Sequence, residues 1–462
     1  MDTLQAVHAG DAGVGASHED NTGTRPRPAY LEKGDVFRTL GLPDELTIGL
    51  DAMALTTNKS LQGFREIPPG AHFLWIQQPG SVSRCGCWFI SGSEGLLRIK
   101  EWDKYNEMLG EPADQSEDAR SQSDRVESLY PTLKPYMLHD HRSKSWAPLD
   151  NKDPLWARSP GSLWGVLTSA ITPRALARIT RKQNVQEYII DSTDGAHSGT
   201  NNGLNFLFAQ DLRDLQVLDQ GSLKDRVADT SGRIRTLLTT AAGDDKTNNG
   251  LTERDIVAEL QLTFLTGTHL SNSACLEQWW NLVLKIVLRA YDLAASHPRL
   301  VADLLTVLYA QLFYTEHYVA SSSSSSQQPE VHPDAADGDV DDDHRGGKKK
   351  RHGPSSDRAI FQYKPLYRGK LRQALAEYKR RLANLAALPD HEAVGQAFEE
   401  LEAWLWRKGW DLRGESGDST RAAAIVGGGF LPADSEDEED EQPVVVELDE
   451  EGREVGLLSF RD

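Results

Sequence analysis

The stretch from Phe64 to Trp102 constrains this chain more than any other. It reads FREIPPGAHFLWIQQ, a short polar gap, then CGCWFISGSEGLLRIKEWD. Pro69-Gly70 fits the two central positions of a type II turn, because proline presets φ and glycine accepts a positive value. His72 to Gln77 is rich in aromatic and branched residues and is bounded by Pro79-Gly80, so it predicts a strand. Cys87 to Ile90 and Leu96 to Ile99 predict two more. Three short strands with turn punctuation point to a small antiparallel β unit. No nucleophile, base or phosphate loop stands out in the stretch, so by its chemistry it is scaffold.

At 462 residues the chain is too long for one ordinary domain. Its net charge is −20, and the segment from Asp434 to Glu451 supplies eleven acidic residues and no basic ones. An acidic tail with no dominant basic face argues against direct nucleic-acid binding and for a protein partner with a basic surface. The three cysteines, Cys85, Cys87 and Cys275, are too few for a disulfide framework and fit a reducing compartment. The N-terminus has neither a basic start nor an apolar run of signal-peptide length, and no stretch is long and apolar enough to span a bilayer. No membrane partner is expected.

Periodicity divides the rest. Residues 1–30 are small and polar and predict a disordered tail. Asp35 to Leu40 suggests a short helix ending before Gly41, and Leu46 to Ala54 a strand. Residues 31–150 together predict a β-rich, sandwich-like domain, and the proline-spaced residues 151–162 a linker. From 163 to 413 an all-α helical domain is expected. Ile256, Leu260 and Phe264 share a face behind Thr252, a candidate N-cap. Leu276, Trp280, Val283 and Val287 share another, and Leu304, Leu305, Leu308 and Leu312 open a further helix after His297-Pro298. A serine run, an acidic block and the basic run Lys348 to Arg351 place a disordered insertion at 320–356. Residues 414–462 predict an acidic, flexible tail. The fold class is thus α+β and multidomain.

Candidate sites are few. Cys85-x-Cys87 with His139-x-His141 holds four potential zinc ligands at the wrong spacing, so no metal and no cofactor are expected. Gly427 to Gly429 lacks the strand and acidic partner of a dinucleotide site. No nucleophile-elbow motif exists, and catalytic residues are not expected. Arg174, Arg178, Arg181 and Lys182 are expected on a solvated face. Of Trp279-Trp280 and of Trp404-x-Trp406, one residue each is expected in the core and the other exposed as an interface anchor. Behind Pro443, the string Val444, Val445, Val446, Glu447 and Leu448 is β-prone yet follows an acidic flexible segment. Such a string is a poor core element and a good peptide for docking onto a sheet edge. Ser435, within DSEDEED, is a candidate phosphorylation site for acidophilic kinases.

Ile67-Pro68-Pro69-Gly70 with His72-Phe73, the upstream Gly49-Leu50-Asp51 and the downstream Glu101-Trp102-Asp103 resemble the A1-alpha2-repression (AAR-two) protein family. The likeness continues through LTERDIVAELQLTFLTGTHLSNSACLEQWWNLVLKIVLRA and DLLTVLYAQL, covering about Leu31 to Tyr318. It implies a non-enzymatic assembly factor for the spliceosomal U5 small nuclear ribonucleoprotein, found in cytoplasm and nucleus. It further implies binding to the large U5 scaffold protein, processing factor eight, at its RNase H-like and Jab1/MPN-like domains. By occupying that scaffold the protein would block premature binding of the U5 RNA helicase. The rivals are a generic adaptor unrelated to splicing, or a hydrolase with its site at the domain boundary.

Overall fold

A computed structural model describes residues 28–81, 83–112, 125–136, 153–183, 185–196, 203–208, 229–243, 251–319, 367–385, 392–412, 446–448 and 454–457. They fall in two compact units, one ending at Leu412 and one beginning at Arg413.

The first unit opens with nine strands: β1 (Asp35–Leu40), β2 (Thr47–Leu50), β3 (Met53–Thr56), β4 (Gly63–Ile67), β5 (Gly70–Gln77), β6 (Arg84–Ser91), β7 (Leu97–Asp103), β8 (Met108–Gly110) and β9 (Lys134–Pro135). A tenth, β10 (Glu187–Asp191), comes from the region expected to be helical. They make two sheets, ordered β8-β7-β1-β4-β9 and β10-β6-β5-β2-β3. Phe37 and Phe64 of the first sheet meet Ile48, Leu74, Ile76 and Phe89 of the second, forming the core of a sandwich. The expected β-rich domain is present, with three local differences. Asp35–Leu40 is a strand, not a helix, because it pairs with β4 on one side and β7 on the other. The Leu46–Ala54 run folds as two strands around a turn at Asp51-Ala52. β5 and β6 pair antiparallel as expected, but β7 leaves them for the other sheet and runs parallel to β1. Gly70 has φ of +145°, a conformation open to glycine, where a type II turn needs about +80°.

Nearly all of β5 is buried, Ala71 to Ile76 without alternation. The cause is that the second sheet is covered on both faces. Leu74 and Ile76 face the sandwich, while Ala71, Phe73 and Trp75 join the core of the helical part.

The helices are α1 (Pro160–Leu167), α2 (Pro173–Thr180), α3 (Ser231–Gly243), α4 (Glu253–Leu270), α5 (Ser273–Asn281), α6 (Leu293–Ser296), α7 (Pro298–Tyr314), α8 (Tyr367–Leu385) and α9 (Glu392–Arg407). The stretch read as a linker is structured. A 3-10 turn spans Leu155–Arg158, and Ser159 caps α1 by accepting from the Ser162 N–H at 3.0 Å, with Pro160 at the first helical position. α4 is buried on nearly every side and starts at a capping box in which Thr252 N donates to Asp255 Oδ2 at 2.9 Å. Two tryptophans bolt sheet to helices. Trp88 Nε1 donates to Thr266 Oγ1 at 3.0 Å, and Trp164 Nε1 to the Ala71 carbonyl at 2.9 Å. No helix among the described residues is long and apolar enough to cross a membrane.

The second unit contributes a two-stranded antiparallel ladder, β11 (Val446–Leu448) with β12 (Glu454–Leu457). Val446 lies opposite Leu457, and the register is irregular after Glu447.

Candidate functional site

Of the motif residues that carry the family resemblance, Asp51, Pro68, His72 and Phe73 meet in one buried polar clasp. Asp51 sits at the β2–β3 turn with φ of +56° and is fully buried. Its Oδ1 accepts from the Phe73 N–H at 2.8 Å, and its Oδ2 from the Tyr136 hydroxyl at 2.6 Å. His72 Nδ1 lies 2.7 Å from the same Oδ2, and His72 Nε2 lies 2.8 Å from the Pro68 carbonyl. Both ring nitrogens therefore face acceptors, and only the doubly protonated imidazole donates to both. Burial pulls the His72 pKa down, but the Asp51 carboxylate and the Pro68 carbonyl outweigh it and the net shift is upward. Burial and Asp51 together push the Tyr136 phenol up. Gly49 belongs to this construction as well. A Cβ there would lie 2.0 Å from the Trp75 ring, so glycine lets that indole cover β2. The clasp ties the turn, the Pro68-Pro69 bend and the segment leading to Tyr136 into one piece. With side-chain exposures of 3% for His72 and 0% for Asp51, neither of these two side chains is open to a substrate or partner.

A second buried network crosses between the sheets. Arg98 on β7 reaches Asp35 on β1 at 3.2 Å and Glu187 on β10 at 2.6 Å. Lys100 reaches Glu187 at 2.9 Å and also pairs with Glu111. Arg98, Lys100 and Trp102 point inward, while Leu97 and Ile99 point away from the sandwich core. The sequence shows this strand but not its inward cations, because hydrophobicity alone assigns the two faces the other way round.

The remaining candidates resolve one by one. Cys85 and Cys87 are buried in the sandwich core, and burial raises their thiols to about 11 and about 12. His139 and His141 lie outside the described residues, and among the described residues no group of three or more His, Cys, Asp or Glu is placed to hold a metal. At the sheet–helix boundary, burial lowers His269 to about 3, and its Nε2 contacts the Tyr314 hydroxyl at 3.0 Å inside the core. Arg178 is not simply solvated. It turns in toward Glu259, which is fully buried on α4, at 3.4 Å. Trp279 and Trp280 are both core residues, against the expectation of one exposed anchor. Trp280 stacks edge-on against Tyr367 of α8, a neighbour that arrives only after the insertion. Trp404 is buried and Trp406 is 50% exposed, as the spacing suggested. A cleft of about 740 Å³ opens between α1, the start of α4 and α7, lined by Gly165, Ser169, Arg254, Leu300 and Asp303 among others. No histidine or cysteine lines it.

Of the tail candidates, Val446, Glu447 and Leu448 form β11 and pair with β12. Ser435, Val444 and Val445 lie outside the described residues, as do the 320–356 insertion and the Lys348–Arg351 run.

Residues 33–181 match the family profile described as the AAR2 N-terminal domain, and residues 222–413 match that of the AAR2 C-terminal repeat region. The second match reaches past Tyr318, where the resemblance read from the sequence stopped. A curated relative, "Protein AAR2 homolog" of Caenorhabditis elegans, is 29% identical over 118 residues, covering 25% of this chain and 32% of the relative. The matched region thus spans about a third of that relative's length.

Proposed function

The chain belongs to the AAR2 family, and we propose that it is a non-enzymatic assembly factor for the U5 small nuclear ribonucleoprotein. The observation that carries this is the match of both halves of the folded chain to the two family regions, residues 33–181 and 222–413. The signature residues Asp51 and His72 fall in a sealed clasp, which fits a protein whose work is done by surfaces and not by a reactive centre.

On this reading the protein holds the large U5 scaffold protein at its RNase H-like and Jab1/MPN-like domains and keeps the U5 helicase from binding too early. A placeholder of this kind acts by competitive occupancy, so its affinity must be adjustable. The tail suits that demand. Val444 to Leu448 would add a strand to an exposed sheet edge of the scaffold, with backbone hydrogen bonds for affinity and alternate side chains for specificity. Phosphorylation of Ser435, eight residues before Pro443, would add about −1.5 to −2 charge close to that strand and change its affinity. The protein would work in the cytoplasm and nucleus, where the particle is assembled.

Affinity purification of the tagged chain from extract tests the assembly role. Recovery of the scaffold protein without the helicase is the expected result, and recovery of neither scaffold nor other U5 components overturns it. The tail is tested by truncation after Gly429, which should weaken scaffold binding with the melting temperature unchanged. Unchanged affinity would remove the tail from the interface.

A further inference from the structure

The cleft between α1, the start of α4 and α7 measures about 740 Å³, within the roughly 300–1,000 Å³ of ligand-binding clefts. Its floor is apolar. Ala170, Val257, Leu300 and Val307 are buried there, with Val166 half-buried beside them. One wall is fastened in place by the buried side chain of Gln261 on α4. Its amide nitrogen donates to the Val166 carbonyl at 2.8 Å and to Ser169 Oγ at 2.9 Å, and its amide oxygen accepts from the Ala170 N–H at 2.9 Å. These bonds hold the C-terminal end of α1 on α4, so the cleft is preformed.

Two features of the lining have no role in the fold. Gly165 is exposed and lies inside α1, although glycine is a poor helix former. It has no positive φ, and a Cβ there would meet nothing within 4 Å. What a side chain at this position would fill is the cleft. The second feature is the charge of the rim, which carries Glu253, Asp303 and one cation, Arg254. Arg254 Nη2 is turned to the Ser169 carbonyl, and Glu253 keeps a loose pair with His297 at 3.8 Å. Asp303 makes no hydrogen bond or ion pair among the described residues. Burial pushes its carboxyl pKa up, and the more remote Arg254 charge offsets this only in part.

We propose that this cleft binds a short peptide segment of a partner protein, with a branched aliphatic side chain on the floor and an arginine on Asp303. The apolar floor takes the first, and the planar fork of a guanidinium matches a carboxylate that has no other partner. The lining decides against other ligand classes. Two carboxylates to one guanidinium repel a phosphate or a fatty-acid headgroup, and no aromatic ring lines the cleft on which a nucleobase could stack. With no side chain at Gly165, the peptide backbone can lie close along α1. Nothing in this reading depends on the assembly role.

Isothermal titration calorimetry of the full chain with the peptide acetyl-Leu-Val-Arg-Leu-amide tests this. Saturable binding is expected, weakened about tenfold or more when citrulline, the neutral isostere, replaces the arginine, because a hydrogen bond to a charged group is lost. Asp303→Asn should weaken the arginine peptide about tenfold and leave the citrulline peptide unchanged. Gly165→Trp should abolish binding of both by filling the cleft, with a melting curve in circular dichroism no lower than that of the wild type. Four results overturn the proposal: no saturation by the arginine peptide at about 1 mM, equal affinity for the arginine and citrulline peptides, unchanged binding in Gly165→Trp, or tighter binding of acetyl-Leu-Val-Glu-Leu-amide. The last would mark a site for an acidic peptide organised by Arg254. No U5 component enters the assay, so its failure and that of the assembly role are read separately.

Discussion

Replacing Asp51 by asparagine removes a charge and leaves the shape of the clasp almost unchanged. The amide oxygen can still accept from the Phe73 N–H, but the amide nitrogen replaces the oxygen that now faces His72 Nδ1 and the Tyr136 hydroxyl at 2.7 and 2.6 Å. Breaking a buried ion pair from one side costs about 3–5 kcal/mol, because the stranded partner stays buried. The upper half of that range is expected here, since Tyr136 loses its acceptor at the same step. At roughly 2–4 °C per kcal/mol, the melting temperature should fall by about 8–20 °C.

The pH dependence is the sharper test. The folded-state pKa of His72 lies above the ordinary 6.5, so its stabilisation is complete below pH 6.5 and is lost as pH rises through the raised value. Over that window this group contributes a slope of up to about −1.4 kcal/mol per pH unit. In Asp51→Asn the burial of His72, the largest single influence on it, is opposed only by the Pro68 carbonyl and the more remote Asp35 charge. The folded pKa then drops below 6.5 and the sign reverses, with stability lost as pH falls. His269 and His317 are held low by burial and add their own loss at low pH to both proteins. The difference between the two curves therefore isolates His72. Urea unfolding followed by tryptophan fluorescence from pH 5.5 to 8.5 reads it directly. Parallel curves, or a loss below about 1 kcal/mol, would refute the doubly donating imidazole and with it the clasp.

Other substitutions separate packing from surface. Gly49→Ala drives a methyl into the Trp75 indole and should cost about 1–3 kcal/mol in denaturant unfolding, with the slope of the transition unchanged. Trp280→Ala should cost about 3–5 kcal/mol, whereas Trp406→Ala should stay within about 1 kcal/mol in the same thermal melts. Glu187→Gln removes the carboxylate shared by Arg98 and Lys100, which keep Asp35 and Glu111 as partners, and should cost about 1.5–3 kcal/mol. Adding Lys100→Met to that variant should recover part of the loss, measured as the coupling term of a double-mutant cycle.

The parts of this fold legible in the sequence were those written in local pattern. β5 and β6 follow from aromatic and branched runs between Pro-Gly turns, and α4 from an apolar stripe behind Thr252. What local pattern could not show was partnership across the chain. Asp35–Leu40 has too few residues to separate strand from helix by period, and it is a strand only because β4 and β7 flank it. β10 lies far from the β-rich segment in sequence and becomes a strand by completing the edge beside β6. Adjacent Trp279 and Trp280 cannot share one helix face, so the pattern expects one of them exposed; both are core because Gln311 of α7 meets Trp279 and Tyr367, from beyond the insertion, covers Trp280. On β7 the inward face is charged, so the alternation was visible while its direction was not.

The signature residues follow the same logic. GLD and IPPG-x-HF can be read off the sequence, but their reason is a set of hydrogen bonds spanning up to 85 positions, from Asp51 to Tyr136. Leu50, Asp51, Ile67 and Phe73 are at zero exposure and His72 at 2%. Pro68 is half-buried and Pro69 and Gly70 are exposed, so only the bend of the signature reaches the surface. The buried members set how the two sheets and the Tyr136 segment close. Two kinds of exposed position lie outside that frame: turn residues such as Pro69 and Gly70, and single side chains on helices such as Trp406. Neither kind carries a hydrophobic period, so sequence pattern finds the frame of such a protein more readily than its binding faces.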